Sequence, residues 1–152
     1  FWPHADAVMF GFPFGWVFGR LGCAVVHDHI GKPTEFFLAV DFPNLGPRFE
    51  LGLYEAAWTL VIAVAFWVLG RRNRRPGFFV VTWCLLYAPV RFGLDFLRAT
   101  DLPGSDPRYY GLTAGQYGSA LMLAAGLGVW IWMLRHPHIE GPISPAEQLT
   151  SV

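Results

Sequence analysis

Charge is what this sequence has least of. Only 14% of its 152 residues are Asp, Glu, Lys or Arg, against about 25% in ordinary soluble domains. So few charges cannot clothe a water-facing surface, which argues against a soluble globular enzyme. Acids and bases balance, 11 against 11, so there is no basic surplus to hold nucleic acid. Two cysteines, Cys23 and Cys84, are too few for a disulfide framework. No basic region precedes the apolar stretch Phe1–Gly19, so it does not read as a signal peptide. Internal repeats and low-complexity tracts are also missing. What is abundant is grease: 54% hydrophobic residues, 17% aromatic, with 14 Phe and 7 Trp. Such a chain collapses, which excludes disorder. One domain's length and this composition together indicate an integral membrane protein. The first residue is Phe1, so the chain reads as processed or as a piece of something longer.

A bilayer-crossing helix needs about 20 apolar residues. Four stretches qualify. Phe1–Phe18 carries only His4 and Asp6 but is interrupted by Pro3 and Pro13; Leu51–Gly70 carries only Glu55. Gly77–Val90 is uncharged, with a helical pattern that can run on through Arg98, and Tyr109–Leu134 is uncharged. Arg71, Arg72, Arg74 and Arg75 crowd into one loop, which the positive-inside rule places in the cytoplasm. The loop Ala99–Arg108 then faces outward. Leu21–Arg48, with His27, Asp28, His29, Lys32, Glu35 and Asp41, lies outside or at the interface. The expected fold is all-α: a polytopic transmembrane helix bundle with an external or interfacial loop region. Residues 1–134 form its embedded core. Residues 135–152, with Pro137, Pro142 and Pro145, read as a flexible cytoplasmic tail.

Ionisable groups inside membrane helices are costly and usually face a partner or a cavity. Tyr87, Arg91, Asp95 and Arg98 recur at helical spacing and fall within an arc of roughly 80°. This polar stripe is either a set of internal Arg–Asp pairs, an ion path, or an anion site. A guanidinium binds phosphate through a planar fork and stays charged at any working pH. In a membrane the obvious phosphate belongs to a lipid headgroup. Arg20 lies between Gly19 and Gly22 where the first span ends, as a snorkelling cation or a second phosphate ligand. Glu55, beside Tyr54 at the start of the second span, needs a cation such as Arg20 or Arg91.

His27, Asp28 and His29 have the types of zinc ligands, with His4 or Glu35 as further candidates, but not a ligand spacing. They read as a solvated loop, and no metal is assigned. His27 beside Asp28 alternatively supplies an oriented base. Leu21-Gly22-Cys23-Ala24 looks like the end of a lipobox, but Arg20 stands where that motif needs an aliphatic residue. Cys84, mid-span, reads as packing.

Four motifs together resemble the prolipoprotein diacylglyceryl transferase family. The run from Gly19-Arg20 to Gly31 is similar to that family's Gly-Arg-x-Gly-Asn-Phe-x-Asn-Gly-Glu-x-x-Gly signature, with Cys23 for an Asn, His27 for a Gly and Asp28 for the acid. Leu53-Tyr54-Glu55 matches its Leu-Tyr-Glu. Tyr87, Arg91, Phe92, Asp95, Phe96 and Arg98 match its Tyr-x-x-x-Arg-Phe-x-x-Glu-Phe-x-Arg without a gap, and Leu112-Thr113-Ala114-Gly115-Gln116 its Leu-Thr-x-Gly-Gln. The family's members have more spans, so the chain looks like the C-terminal part of such an enzyme. The resemblance implies transfer of diacylglyceryl from phosphatidylglycerol to the lipobox cysteine of a bacterial prolipoprotein. It places the site on the outer face of the inner membrane and needs no cofactor. Under it, Arg20, Gly31, Tyr54, Tyr87, Arg91, Asp95 and Arg98 bind substrate, while His27, Asp28 and Glu55 are catalytic. The alternatives are an inactive truncated membrane subunit and a transport or channel protein.

Overall fold

The computed structural model of the chain describes residues 1–136. The expected tail lies almost wholly outside them. Four helices are long and apolar enough to cross a membrane, spanning Trp2–Val25, Leu51–Leu69, Phe78–Leu97 and Ala114–Arg135. We name them α1 (Trp2–Val25), α2 (Leu51–Leu69), α3 (Phe78–Leu94, tightening into a 3-10 turn at Asp95–Leu97) and α4 (Ala114–Arg135). A polytopic helical bundle is thus the architecture. The loop region expected outside it contains a small antiparallel sheet: β1 (Ile30–Pro33), β2 (Val40–Phe42) and β3 (Gly46–Glu50), in the order β1-β3-β2.

The element bounds differ from the sequence expectation in three places. The first helix continues past Phe18 to Val25, carrying Arg20 and Cys23 within it. No proline interrupts Gly19–Val25, and Arg20 finds a carboxylate inside the bundle rather than reaching for water. The third helix loosens before Arg98, whose backbone is extended. The fourth begins at Ala114 rather than Tyr109, because β4 (Arg108–Tyr109) and β5 (Leu112–Thr113) pair first. Their two-residue turn, Tyr110-Gly111, has positive φ at both positions, 50° and 84°, the backbone that tight hairpins require.

Close approaches set the helix order. A Cβ on Gly52 would lie 3.0 Å from the amide nitrogen of Ala24, so the first turn of α2 presses on the last turn of α1. A Cβ on Gly126 would clash with Cys84, which fixes α4 on α3 and gives Cys84 the packing role expected of it. At the opposite face, Asp6 of α1 caps α3. Its carboxylate accepts from the amides of Gly77, Phe79 and Val80 at 2.8, 3.0 and 3.1 Å. This answers the open N-terminus of α3, whose own cap residue, Gly77, has no side chain to offer. Between the two faces Ile62, Phe66, Phe79, Trp83 and Tyr87 form the buried core. The start of α1 and the ends of α2 and α4 share a face with the start of α3. The sheet, the hairpin and the other helix ends gather at the opposite one.

Candidate functional site

One turn below the Gly52–Ala24 contact, Glu55 projects from α2 with 2% of its side chain exposed. Arg20 of α1 approaches it at 3.0 Å through Nε. Arg91 of α3 approaches the other carboxylate oxygen at 3.7 Å. Tyr87, one turn below Arg91, donates its hydroxyl proton to Glu55 and accepts from the indole of Trp16 at 3.0 Å. Trp16 also lies under the Arg20 guanidinium, 4.6 Å from the ring centre. A carboxylate that deep is tolerable because two neighbouring helices supply three donor side chains to it.

The network continues upward along α3. Arg91 Nη1 donates to Asp95 at 2.6 Å. Asp95, 1% exposed, also accepts from the hydroxyl of Thr113 and lies 3.8 Å from Arg98. Arg98 reaches Asp106 at 2.8 Å. Thr113 and Gln116 form a capping box at the start of α4, and the Gln116 amide donates to the carbonyl of Phe92 at 3.3 Å. Gly115 is needed because a Cβ there would meet Arg91 Nη2 at 3.0 Å and Asp95 at 3.1 Å. The Leu112–Gln116 motif is therefore the wall that holds the α3 stripe in place.

Pairing does not saturate the arginines. Arg20 engages Glu55 through Nε, and no hydrogen bond from its terminal nitrogens is formed among the described residues. The side chains of Arg20, Arg91 and Arg98 keep 14%, 14% and 19% exposure. Arg20, Arg91 and Arg98 against Glu55 and Asp95 leave one positive charge, which Asp106, 40% exposed, meets at Arg98. Arg98 and Asp106 also line a cleft of about 150 Å³ with His27, Asp28 and Ile30.

The expected pairing of His27 with Asp28 is not formed. α1 ends at Val25, and His27 takes a left-handed backbone with φ 53°, turning its ring onto Phe42 and to Glu50, 3.1 Å away. Asp28, mostly exposed, lies 3.4 Å from His29 Nδ1, without hydrogen-bond geometry, so that nitrogen is buried with no partner. Burial, then the charge of Arg98, pushes the His29 imidazole below its ordinary value of 6.5; Arg20 acts the same way, while Asp28 and Glu55 oppose. His29 is thus the imidazole on which the charges of Arg98 and Arg20 act. Cys23, Asp28 and His29 bring one donor atom each within 4.8 Å of one another.

Two further expected residues stand apart. Tyr54 makes no hydrogen bond to the Arg20–Glu55–Arg91 cluster; its hydroxyl donates to the carbonyl of Leu38 at 3.0 Å. Gly31 is a packing position, where a Cβ would come within 2.6 Å of Phe49 and 2.9 Å of the Leu97 carbonyl. Its own carbonyl accepts from Arg48 at 3.3 Å. Arg48 and Glu50 were missed in the sequence. Arg48 holds Asp101 through two hydrogen bonds, 3.1 and 2.6 Å, tying the sheet to the loop that carries Asp106. That bond holds the Asp101 carboxyl below its usual range. Glu50 caps α2 by accepting from the Gly52 amide at 3.3 Å, and burial pushes its carboxyl up.

Comparison with known proteins agrees with the motifs. The family model for prolipoprotein diacylglyceryl transferase matches residues 1–132. The phosphatidylglycerol–prolipoprotein diacylglyceryl transferase of Chromohalobacter salexigens is 34% identical over 128 residues, 82% of this chain and 48% of that protein. The enzymes so named from Chlorobaculum tepidum and Erythrobacter litoralis are 28% identical over 136 residues and 30% over 150. These cover 87% and 93% of this chain, and 47% and 53% of theirs. No solved structure matches. The chain spans about half the length of the curated relatives it matches. The match fills the N-terminal part of the chain from residue 1; it carries the family, not the expected placement at a longer enzyme's C-terminal end. The chain belongs to the prolipoprotein diacylglyceryl transferase family.

Proposed function

We propose that the Arg20–Glu55–Arg91 cluster is the donor-binding and transfer centre of a phosphatidylglycerol:prolipoprotein diacylglyceryl transferase. The observation that carries this is two guanidiniums from different helices, Arg20 and Arg91, converging on one buried carboxylate while Arg20 keeps its terminal nitrogens unbonded. Glu55 positions the two forks and Asp95 positions Arg91. The phosphodiester of phosphatidylglycerol then binds between arginines that are already aimed.

In the reaction, the thiolate of a lipobox cysteine attacks the diacylglyceryl carbon that bears the phosphate oxygen. The carbon–sulfur bond forms, the carbon–oxygen bond breaks, and glycerol phosphate leaves. Charge grows on the departing phosphate, where Arg20, Arg91 and Arg98 stabilise it. The thiol has an ordinary pKa of about 8.5 and must lose its proton. His29, unprotonated at neutral pH and with its buried Nδ1 unpartnered, takes it, with Asp28 stabilising the imidazolium. This replaces the His27–Asp28 dyad expected from sequence. Glu55 serves by holding cations rather than by moving protons.

The donor is a bilayer lipid and the acceptor a membrane-anchored precursor, so the site opens outward at the bilayer surface, in the inner membrane of a bacterium. Residues 1–134 are the embedded unit that carries it. The polar stripe does not suit a conduit, because the residues beneath Tyr87 are Trp83, Phe79, Phe66 and Ile62. The test uses the complete protein in vesicles containing phosphatidylglycerol labelled in its diacylglyceryl group, with a lipobox peptide. Label on the peptide cysteine is expected. Solute flux across the vesicle without labelled peptide would select the transport reading instead.

A further inference from the structure

The face opposite the arginine network has arginines of its own, and their surroundings differ. From Ala56 to Leu94 the sequence has no Asp or Glu, and the Asp6 carboxylate at this face is taken up by the amides of Gly77, Phe79 and Val80. Among the described residues none of Arg71, Arg72, Arg74 and Arg75 forms an ion pair, whereas Arg20, Arg91 and Arg98 all do. Two of the four, Arg74 and Arg75, stand at a cavity of about 510 Å³ between α3 and α4. Its walls include Phe78, Thr82, Trp130 and Leu134. Arg74 is held in place there: Nε donates to the carbonyl of Leu69 at 3.1 Å, and the guanidinium lies 4.9 Å from the Phe78 ring centre.

We propose that this groove binds one anionic phospholipid of the adjoining leaflet, its phosphate on Arg74 and Arg75 and an acyl chain along Phe78, Trp130 and Leu134. The polarity profile of the cavity is that of an amphiphile. Cations stand at the mouth, and from Phe78 the α3 wall is apolar but for Thr82 down to Leu85, a depth of about 10 Å at the helical rise. A zwitterionic lipid leaves two cations without net compensation. An anionic one supplies the missing charge, and each basic residue near a bilayer surface favours it. Arg71 does not contribute, since it stacks on Trp67 at 3.9 Å on another side of the helix end, and Arg72 is not part of the wall. The site is separate from the transferase centre and holds whichever leaflet this face adjoins.

The experiment places a photoreactive benzophenone side chain at Leu134, 64% exposed at the groove, in the complete protein. Vesicles contain phosphatidylglycerol as a minor component of phosphatidylcholine, and the mass of the adduct identifies the lipid captured. Phosphatidylglycerol is expected in roughly tenfold excess over its share of the bilayer. Arg74→Gln with Arg75→Gln should return capture to the bulk ratio, while Arg71→Gln with Arg72→Gln should leave it enriched. Helical content and membrane accumulation of each variant show that it is folded. Capture at the bulk ratio in the unmodified protein would overturn the proposal. So would equal loss in both pairs of variants, crosslinking to the protein's own polypeptide instead of lipid, or loss of enrichment on adding inorganic phosphate.

Discussion

Arg20 of α1 and Glu55 of α2 meet at 3.0 Å inside the bundle, and the glycine contact one turn above, Gly52 on Ala24, is what lets them. The carboxylate is 2% exposed and is shared with Arg91 and Tyr87. Removing one partner of such a buried pair leaves the other charge uncompensated, which typically costs about 3–5 kcal/mol. Glu55→Gln is therefore expected to destabilise the protein on the order of 3 kcal/mol, read from denaturation midpoints in detergent. Arg20→Met in the Glu55→Gln background should cost less than the sum of the two single changes. Additive losses would mean that the two side chains do not share an interaction. Glu50→Gln should also destabilise, because Glu50 is equally buried and caps α2.

His29 should set the acid limb of the transfer rate. The charges of Arg98, Arg20, Asp28 and Glu55 act on it, and it lies beside Cys23 and Asp28. Its folded pKa is lowered from 6.5, so the proton-accepting form prevails at neutral pH and is lost only as pH falls through that lowered value. The limb's midpoint is expected below pH 6.5. His29→Gln should reduce the rate by roughly a hundredfold or more, the usual share of a general base, and remove the limb. His27→Gln should keep it. An unchanged limb in His29→Gln would assign the proton to another group.

Gly115→Ala tests whether the α4 wall sets the arginines. The added methyl group would sit 3.0 Å from Arg91 and 3.1 Å from Asp95, so one of them must move. Loss of transfer by roughly tenfold or more is expected, since a misplaced charge costs transition-state stabilisation. Gly118→Ala, with nothing within 4 Å, should be neutral or slightly stabilising, as alanine favours helix by about 1 kcal/mol. Equal effects at both positions would remove the positioning role from Gly115.

What the sequence made legible was local. The presence of four spans follows from composition, and the Tyr87–Arg91–Asp95 face follows from helical period, so both were readable. The partnership of Glu55 with Arg20 and Arg91 was also foreseeable, because a lone carboxylate at that depth demands a cation. Long-range partners were not. Asp6 caps a helix through the amide of Gly77, 71 positions later, and Arg48 binds an aspartate 53 positions on; no spacing announces either. The His27–Asp28 pairing is absent for a related reason. Neighbours in sequence are not neighbours in space here: the left-handed backbone of His27 turns its ring to Glu50, and Tyr54 reaches the carbonyl of Leu38. Glu50 carried a weak signal, an acid immediately before a helix.

The central claim is that Arg20 and Arg91 hold the phosphate of the lipid donor, and it is tested by following label from phosphatidylglycerol to a lipobox cysteine in the complete protein. Arg20→Ala and Arg91→Ala are each expected to lose about 2–4 kcal/mol of transition-state stabilisation, roughly a thirtyfold to thousandfold drop in rate. Lysine should rescue poorly at either position, since it keeps the charge but not the planar fork. Arg72→Ala, on the opposite face, should transfer at the unmodified rate. Full transfer by folded, membrane-accumulated Arg20→Ala and Arg91→Ala would contradict the account and leave the cluster as a structural ion-pair network.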